Sequence, residues 1–145
     1  MTPTDFAVGV FLFWGNTMVQ FLWVCIGGAA GSGFRFLLSG WVAHKLGSAF
    51  PFGTLCVNLL GSFLLGFIMQ VGLTTEMISP MARLTLTTGV MGGFTTYSTF
   101  NYETLRILED GIWEMAIANV AATVIVCLVA GKAGVETVNF LLGRV

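Results

Sequence analysis

Charged residues are scarce in this 145-residue chain. Lys and Arg number 6 and Asp and Glu 7, which together make 9% of the sequence, whereas soluble domains contain about 25% charged residues. A net charge of -1 offers no basic surface to a nucleic acid. The sequence has a single histidine, His44, and no acidic pair inside the apolar runs, so it lacks the residues that an enzyme mechanism needs. We therefore predict neither an enzyme nor a nucleic-acid-binding protein.

Cysteine is also rare, and its positions exclude two kinds of site. Cys25, Cys56 and Cys127 are odd in number, lie in apolar stretches and have no disulfide or metal spacing. We interpret them as small apolar side chains in packed helices.

Four long runs that nearly lack charge remain, each close to the ~20 residues that cross a bilayer as a helix. They predict spans over approximately residues 17–43, 52–73, 81–108 and 112–141 of a single all-α membrane domain, 1–145, with both termini on one side. Residues 1–16 contain Asp5 and no Lys or Arg, so we expect a helical or interfacial lead-in and not a signal peptide.

Positive charge is balanced across this predicted topology. Three basic residues lie toward the side of the termini and three toward the opposite side: Arg83, Lys132 and Arg144 against Arg35, Lys45 and Arg106. The positive-inside rule then gives no preferred orientation. Two opposed copies forming an antiparallel dimer, and one weakly biased topology, are equally consistent with the charges.

Small and polar side chains recur four residues apart along the spans. Gly27 and Gly31, and Gly89 and Gly93, predict surfaces where helix backbones pack closely. Polar stripes follow one face of the second span and one face of the fourth: Thr54, Asn58, Ser62 and Gly66, then Asn119, Thr123 and Cys127. One amide alone would be expected to hydrogen-bond a neighbouring helix, but two polar stripes favour a polar pathway through the membrane.

The third span contains the densest polar cluster, GVMGGFTTYSTFNYE at residues 89–103. Gly92 and Gly93, followed by hydroxyl residues that compete for backbone hydrogen bonds, predict a break at the centre of this helix. Freed carbonyls favour a cation, and the N-terminus of the next half-helix favours an anion. Tyr97 and Phe100, three apart, would share a face, and ring edges attract anions. Packing at a helix interface is the commoner fate of such rings.

Other candidate site residues flank this break. Asn58, Ser98 and Thr99 can donate hydrogen bonds to a small hydrated anion. Arg35, inside the first span, either draws anions to one entrance or anchors at the interface. Glu103, near the end of the third span, either takes a hydrogen-bonding or gating role or faces water.

Three motifs, GGAAGSGFR, PFGTLCVNLLGSFLLG and TTGVMGGFTTYSTFNYE, resemble the Fluc, or CrcB, family of bacterial fluoride channels from about Gly27 to Cys127. The resemblance implies passive fluoride export across the bacterial inner membrane by an antiparallel dual-topology homodimer with two pores. It also implies a structural sodium ion at the dimer centre, held by the backbone carbonyls of Gly92 and Thr95 of each subunit.

The resemblance further implies a fluoride pathway lined by two rings, a pore amide and a polar track. The residues at these positions are Tyr97, Phe100, Asn58, Ser98, Thr99, Asn119, Thr123 and Cys127, with Arg35 near the entrance. The family usually has Phe where this chain has Tyr97, and a hydroxyl where it has Cys127.

Two other functions compete with a fluoride channel. A small four-span proton-coupled multidrug antiporter resembles this chain in size, but it needs a membrane-embedded Glu in its first span, and this first span has none. A non-transporting scaffold would explain the small-residue surfaces but leave the polar stripes without a purpose.

Overall fold

The structure is a computed structural model that describes the backbone of residues 3–144 and the side chains of residues 16–144. Over this range the chain is all-helical, as predicted. The helices are α1 Pro3–Leu46, α2 Phe52–Thr74, α3 Pro80–Leu84, α4 Gly92–Phe94, α5 Tyr97–Glu109 and α6 Trp113–Leu141. A π-helical segment, Thr85–Met91, joins α3 to α4. The predicted third span corresponds to the run from α3 to α5.

Within residues 16–144, three helices are long and apolar enough to cross a bilayer. They are Asn16–Leu46 within α1, with mean hydropathy 1.5, and α2 and α6, each with mean hydropathy 1.9. The 23 residues of α2 extend over about 35 Å at 1.5 Å per residue, which spans the ~30 Å hydrocarbon core. The chain is therefore a membrane protein.

From Pro3 onward the predicted lead-in is continuous with the first span, because α1 begins at Pro3. Residues 1 and 2, and the side chains of residues 3–15, lie outside the described part of the chain.

Helix α1 packs against the π-helical segment and α4 through glycines. A Cβ atom on Gly27 would lie 2.8 Å from the Thr85 carbonyl oxygen, and one on Gly31 would overlap the Val90 carbonyl. A Cβ on Gly93 would similarly overlap the Gly28 carbonyl oxygen. The predicted role of these small residues in close packing is confirmed.

Helix α2 lies between α1 and α6 and packs along α6 by the same means. Gly66 meets the Gly131 backbone, and Gly134 meets the Phe63 backbone, so a methyl group at Gly66 or Gly134 would overlap a carbonyl. Van der Waals packing of this kind drives helix association in lipid, where apolar burial contributes little. A small core of Val57, Met91 and Phe94 joins α2 to the third span.

The helical run from α3 to α5 changes partners along its length. Its first half lies against α1, and α5 lies against α6. The change of partner occurs where α4 ends and α5 begins, which places this junction close to α1, α2 and α6 together.

Candidate functional site

The backbone between α4 and α5 is extended at two residues. Thr95 has φ −80° and ψ 157°, and Thr96 has φ −149° and ψ 116°. Two glycines precede them, and the Thr95 amide and hydroxyl both donate to the Met91 carbonyl at 2.9 Å, which is the last helical hydrogen bond before the extended residues. Backbone groups freed inside a membrane need other partners.

Asn58 of α2 supplies two of those partners. Its Nδ2 donates to the Thr96 carbonyl at 3.0 Å, and its Oδ1 accepts from the Thr96 amide at 2.7 Å. Asn58 is 8% exposed and Thr96 7% exposed. The Asn58 amide thus bonds both the carbonyl and the amide of Thr96 and fixes this extended residue against α2.

Thr96 also begins α5 as its N-cap. Its hydroxyl accepts from the Thr99 amide at 3.2 Å and donates to the Thr99 hydroxyl at 2.9 Å. The Ser98 hydroxyl lies 3.3 Å from the same oxygen. Ser98 and Thr99 therefore form one hydroxyl cluster around the start of α5.

Helix α1 donates hydrogen bonds to the same junction. The Ser32 hydroxyl donates to the Gly93 carbonyl at 3.5 Å, and a guanidinium nitrogen of Arg35 donates to the Thr95 carbonyl at 3.4 Å. Arg35 thus lies beside the extended residues, with its charge directed at a backbone carbonyl.

An open groove of about 450 Å³ runs along the other side of the junction. We call it the aromatic groove. The rings of Tyr97 and Phe100 meet there, with centroids 5.7 Å apart and planes at 53°. Tyr97 is 78% exposed, whereas Phe100 is 8% exposed. Polar lining comes from both predicted stripes, through Asn58, Ser62, Thr123 and Cys127.

Two further recesses adjoin the junction. The arginine recess, of about 230 Å³, is lined by Ser32, Arg35, Thr54, Thr96 and Thr99 among others. The vestibule, of about 510 Å³, includes Thr54, Thr99, Tyr102, Glu103 and Arg106 in its lining. The two share Thr54 and Thr99, and the arginine recess shares Thr96 with the aromatic groove. The vestibule therefore adjoins the arginine recess, and the arginine recess adjoins the aromatic groove at the junction.

Glu103 lies in the wall of the vestibule. Its Oε1 accepts from the Thr54 hydroxyl at 2.9 Å. Its Oε2 is buried and has no hydrogen-bond partner among the described residues. A buried acceptor without a partner calls for an explanation, and this oxygen on a recess wall is suited to a group that donates a hydrogen bond, such as water, and not to an anion.

Asn119 takes a different position from the one its stripe predicts. It is 1% exposed, and its Nδ2 donates to the Thr104 hydroxyl at 2.9 Å. That hydroxyl donates to the Phe100 carbonyl at 2.7 Å. Asn119 thus supports the helix that carries Phe100 and does not line any of the three recesses.

Comparison with known sequences shows a family that this chain matches. Residues 22–135 match the family described as "CrcB-like protein, Camphor Resistance (CrcB)". The chain belongs to this family. The match covers α2, the π-helical segment and the whole junction, and it ends within α6.

Relatives of this CrcB-like chain cover most of its length. One from Sorangium cellulosum is 50% identical over 125 residues, or 86% of this chain and 98% of the relative. One from an Anaeromyxobacter species is 52% identical over 126 residues, or 87% and 100%. A third, from Trichlorobacter lovleyi, is 51% identical over 113 residues, or 77% and 90%. Each is named "Fluoride-specific ion channel FluC".

The structure brings most of the sequence-predicted residues of this CrcB-like chain to the junction. Asn58, Tyr97, Phe100, Thr123 and Cys127 share the aromatic groove. Arg35 and Thr99 share the arginine recess, and Thr99 and Glu103 share the vestibule. Ser98 is an exposed member of the hydroxyl cluster, and Gly92 lies on an exposed part of the backbone.

Sequence reasoning missed the individual roles of Thr96, Thr104 and Ser32 in this site. Thr96 has a sequence signal, because a hydroxyl residue that follows a helix-breaking pair is a preferred N-cap. Thr104 and Ser32 are recognised only through partners far along the chain, and no local pattern identifies them.

Proposed function

We propose that this protein is a fluoride-selective channel that lets fluoride leave the bacterial cell passively across the inner membrane and so protects the cell from fluoride. The observation that carries the proposal is the junction between α4 and α5, where the Asn58 amide holds extended backbone beside the rings of Tyr97 and Phe100. The fluoride-channel name of the three relatives supports it.

Fluoride is a small, strongly hydrated anion, so a pore must replace its water with other donors. The aromatic groove is lined by Thr123, which carries a hydroxyl, and by the rings of Tyr97 and Phe100, and an aromatic ring carries partial positive charge at its edge. The Asn58 Nδ2 group has two N–H donors, and one of them bonds the Thr96 carbonyl. The other is available to an anion.

The order of the recesses suggests a route for the ion. Fluoride would enter at the vestibule beside Glu103, pass Thr99 and Arg35, and reach Phe100 in the aromatic groove. The Arg35 guanidinium attracts anions to this side of the junction, and the Thr54 hydroxyl orients the Glu103 carboxyl. Ser98 and Asn119 act on this route indirectly, through their hydrogen bonds with Thr96 and Thr104, respectively.

A second copy of the chain would complete the pores. The aromatic groove is open to the surroundings in one copy, and Tyr97 at its edge is 78% exposed. Apolar side chains of α1 near Arg35 are exposed as well, with Phe36 at 77% and Leu37 at 66%. Balanced positive charge permits opposed insertion. We therefore assign an antiparallel dual-topology homodimer with two pores.

The same assembly would hold a structural sodium ion through the carbonyls of Gly92 and Thr95 of each subunit. The residues present fit such an ion. Gly92 is exposed, and a Cβ atom added to it would have no neighbouring atom within 4 Å, so its backbone is open to a second copy. Neutral carbonyl oxygens can replace the hydration shell of a monovalent cation. Sodium would supply positive charge that holds the two junctions together.

The direct test is halide release from liposomes that contain the purified protein, with a potassium ionophore clamping the voltage. We expect rapid release of fluoride and retention of chloride. Equal release of both halides would refute selectivity. Proton-coupled export of a lipophilic cation, without fluoride release, would instead support a multidrug antiporter.

A further inference from the structure

We propose that Arg35 tunes the affinity of the cation site, because its guanidinium shares the Thr95 carbonyl oxygen with the sodium ion and weakens sodium binding. This inference rests on the proposed sodium site. It concerns a positioning residue of α1, and it is independent of any contact between Arg35 and fluoride.

The carbonyls around the junction have different partners. Those of Gly93, Thr95 and Thr96 accept side-chain hydrogen bonds from Ser32, Arg35 and Asn58, respectively. Of these three donors only Arg35 carries a charge. Thr95, one of the two residues assigned to sodium, therefore offers the ion an oxygen that already contacts a cationic side chain.

A carbonyl oxygen has two lone pairs, so one oxygen can accept from a guanidinium and also bind a metal ion. The Arg35 contact of 3.4 Å is longer than the usual 2.7–3.2 Å range of such hydrogen bonds. The guanidinium thus acts on the site mainly through its charge and less through a tightly directed bond. Arginine does not deprotonate in proteins, so this charge is permanent.

Two positive charges on one oxygen repel each other, and at a part-buried contact such as this one water screens them less than it does in bulk solution. The guanidinium therefore competes with sodium for the oxygen. When sodium leaves, Arg35 still partners the Thr95 carbonyl, which stabilises the sodium-free protein. Each effect lowers the affinity for sodium.

Neutralising Arg35 should therefore tighten sodium binding. We expect Arg35→Gln to lower the sodium Kd by about tenfold or more, from the size of charge–charge terms at an effective dielectric near 20. Arg35→Lys keeps the charge, so its Kd should stay within about threefold of the parent value.

The experiment follows thermal unfolding of the purified full-length protein while sodium replaces N-methylglucamine at constant ionic strength. Because a ligand raises the unfolding temperature according to its concentration relative to Kd, the titration gives Kd without any flux measurement. Arg83→Gln is the matched control, since Arg83 also donates to a backbone carbonyl, that of Gly72 at 2.8 Å, on another part of the chain.

Tighter sodium binding in Arg35→Gln, with parent-like binding in Arg35→Lys and Arg83→Gln, would support the inference. Unchanged or weaker binding in Arg35→Gln, or equally tight binding in Arg35→Lys, would overturn it. If Arg35→Gln does not fold, Arg35→Met provides the same neutralisation with an apolar stem. If sodium does not change the unfolding temperature of the parent protein, both the proposed sodium site and this inference are refuted. The channel function is tested separately, by fluoride release from liposomes.

Discussion

Asn58→Ala should destabilise the protein through the backbone of Thr96. The substitution removes the two hydrogen bonds of 3.0 and 2.7 Å that satisfy the Thr96 carbonyl and amide. Thr96 is 7% exposed, so water cannot readily replace the lost partner. An orphaned buried group costs about 1–3 kcal/mol, and two such groups lower the free energy of unfolding by about 2–6 kcal/mol.

The assay is equilibrium unfolding of the purified protein in mixed micelles. Asn139→Ala is the control, because the Asn139 amide also makes two hydrogen bonds, from Gln70 of α2 at 2.7 Å and to Glu136 of α6 at 3.3 Å, but with side chains and not with backbone groups. We expect this control to cost under about 1 kcal/mol, since partly exposed partners can bond water instead. An Asn58→Ala protein as stable as the control would refute the role of Asn58 in holding the junction.

Asn58→Asp separates the structural role of Asn58 from its conduction role. Aspartate can still accept from the Thr96 amide, but it cannot donate to the Thr96 carbonyl, and it places negative charge on the proposed fluoride path. We expect fluoride release to be abolished while the folded protein can still be purified. Full release by this variant would mean that the pathway does not pass Asn58.

Two further substitutions test the rings and the helix packing. Phe100→Ile should slow fluoride release by about tenfold, which is the upper range for loss of a ring-edge contact. Phe140→Ile is the control and should not slow release, because the Phe140 ring on α6 is 74% exposed. Equal release rates in the two variants would place the pore elsewhere. Gly31→Ala should lower stability by about 1–3 kcal/mol because its methyl group overlaps the Val90 carbonyl. Gly33→Ala, with nothing within 4 Å, should leave the unfolding temperature nearly unchanged, and a Gly31→Ala protein that matches it would contradict the packing described here.

The distribution of charge and small residues was enough to predict much of the fold. Charge-free runs predict the positions of α2 and α6 within a few residues. Glycine spacing predicts the close helix packing that occurs where Gly31 of α1 meets Val90, and Lys132 and Glu136, which are four apart in the sequence, form an ion pair on α6. These features depend on helical periodicity or on composition, which are local properties of a sequence.

Features that depend on distant partners were not predictable in the same way. The sequence presents Asn58 as a donor to the pathway, but its amide also binds Thr96, 38 residues away. Asn119 belongs to a polar stripe, but it contacts Thr104 instead of lining a recess. The π-helical segment Thr85–Met91 has a composition that an ordinary helix also accepts. Tertiary packing decides each of these outcomes.

Fluoride selectivity is the central claim, and a reversal potential tests it most directly. Purified protein in a planar bilayer would separate solutions with a tenfold fluoride gradient and an opposite tenfold chloride gradient, at equal concentrations of cations. The current through a fluoride-selective pore should reverse at about 59 mV, with the sign given by the direction of the fluoride gradient. A reversal potential near zero, or one of the opposite sign, would contradict the account.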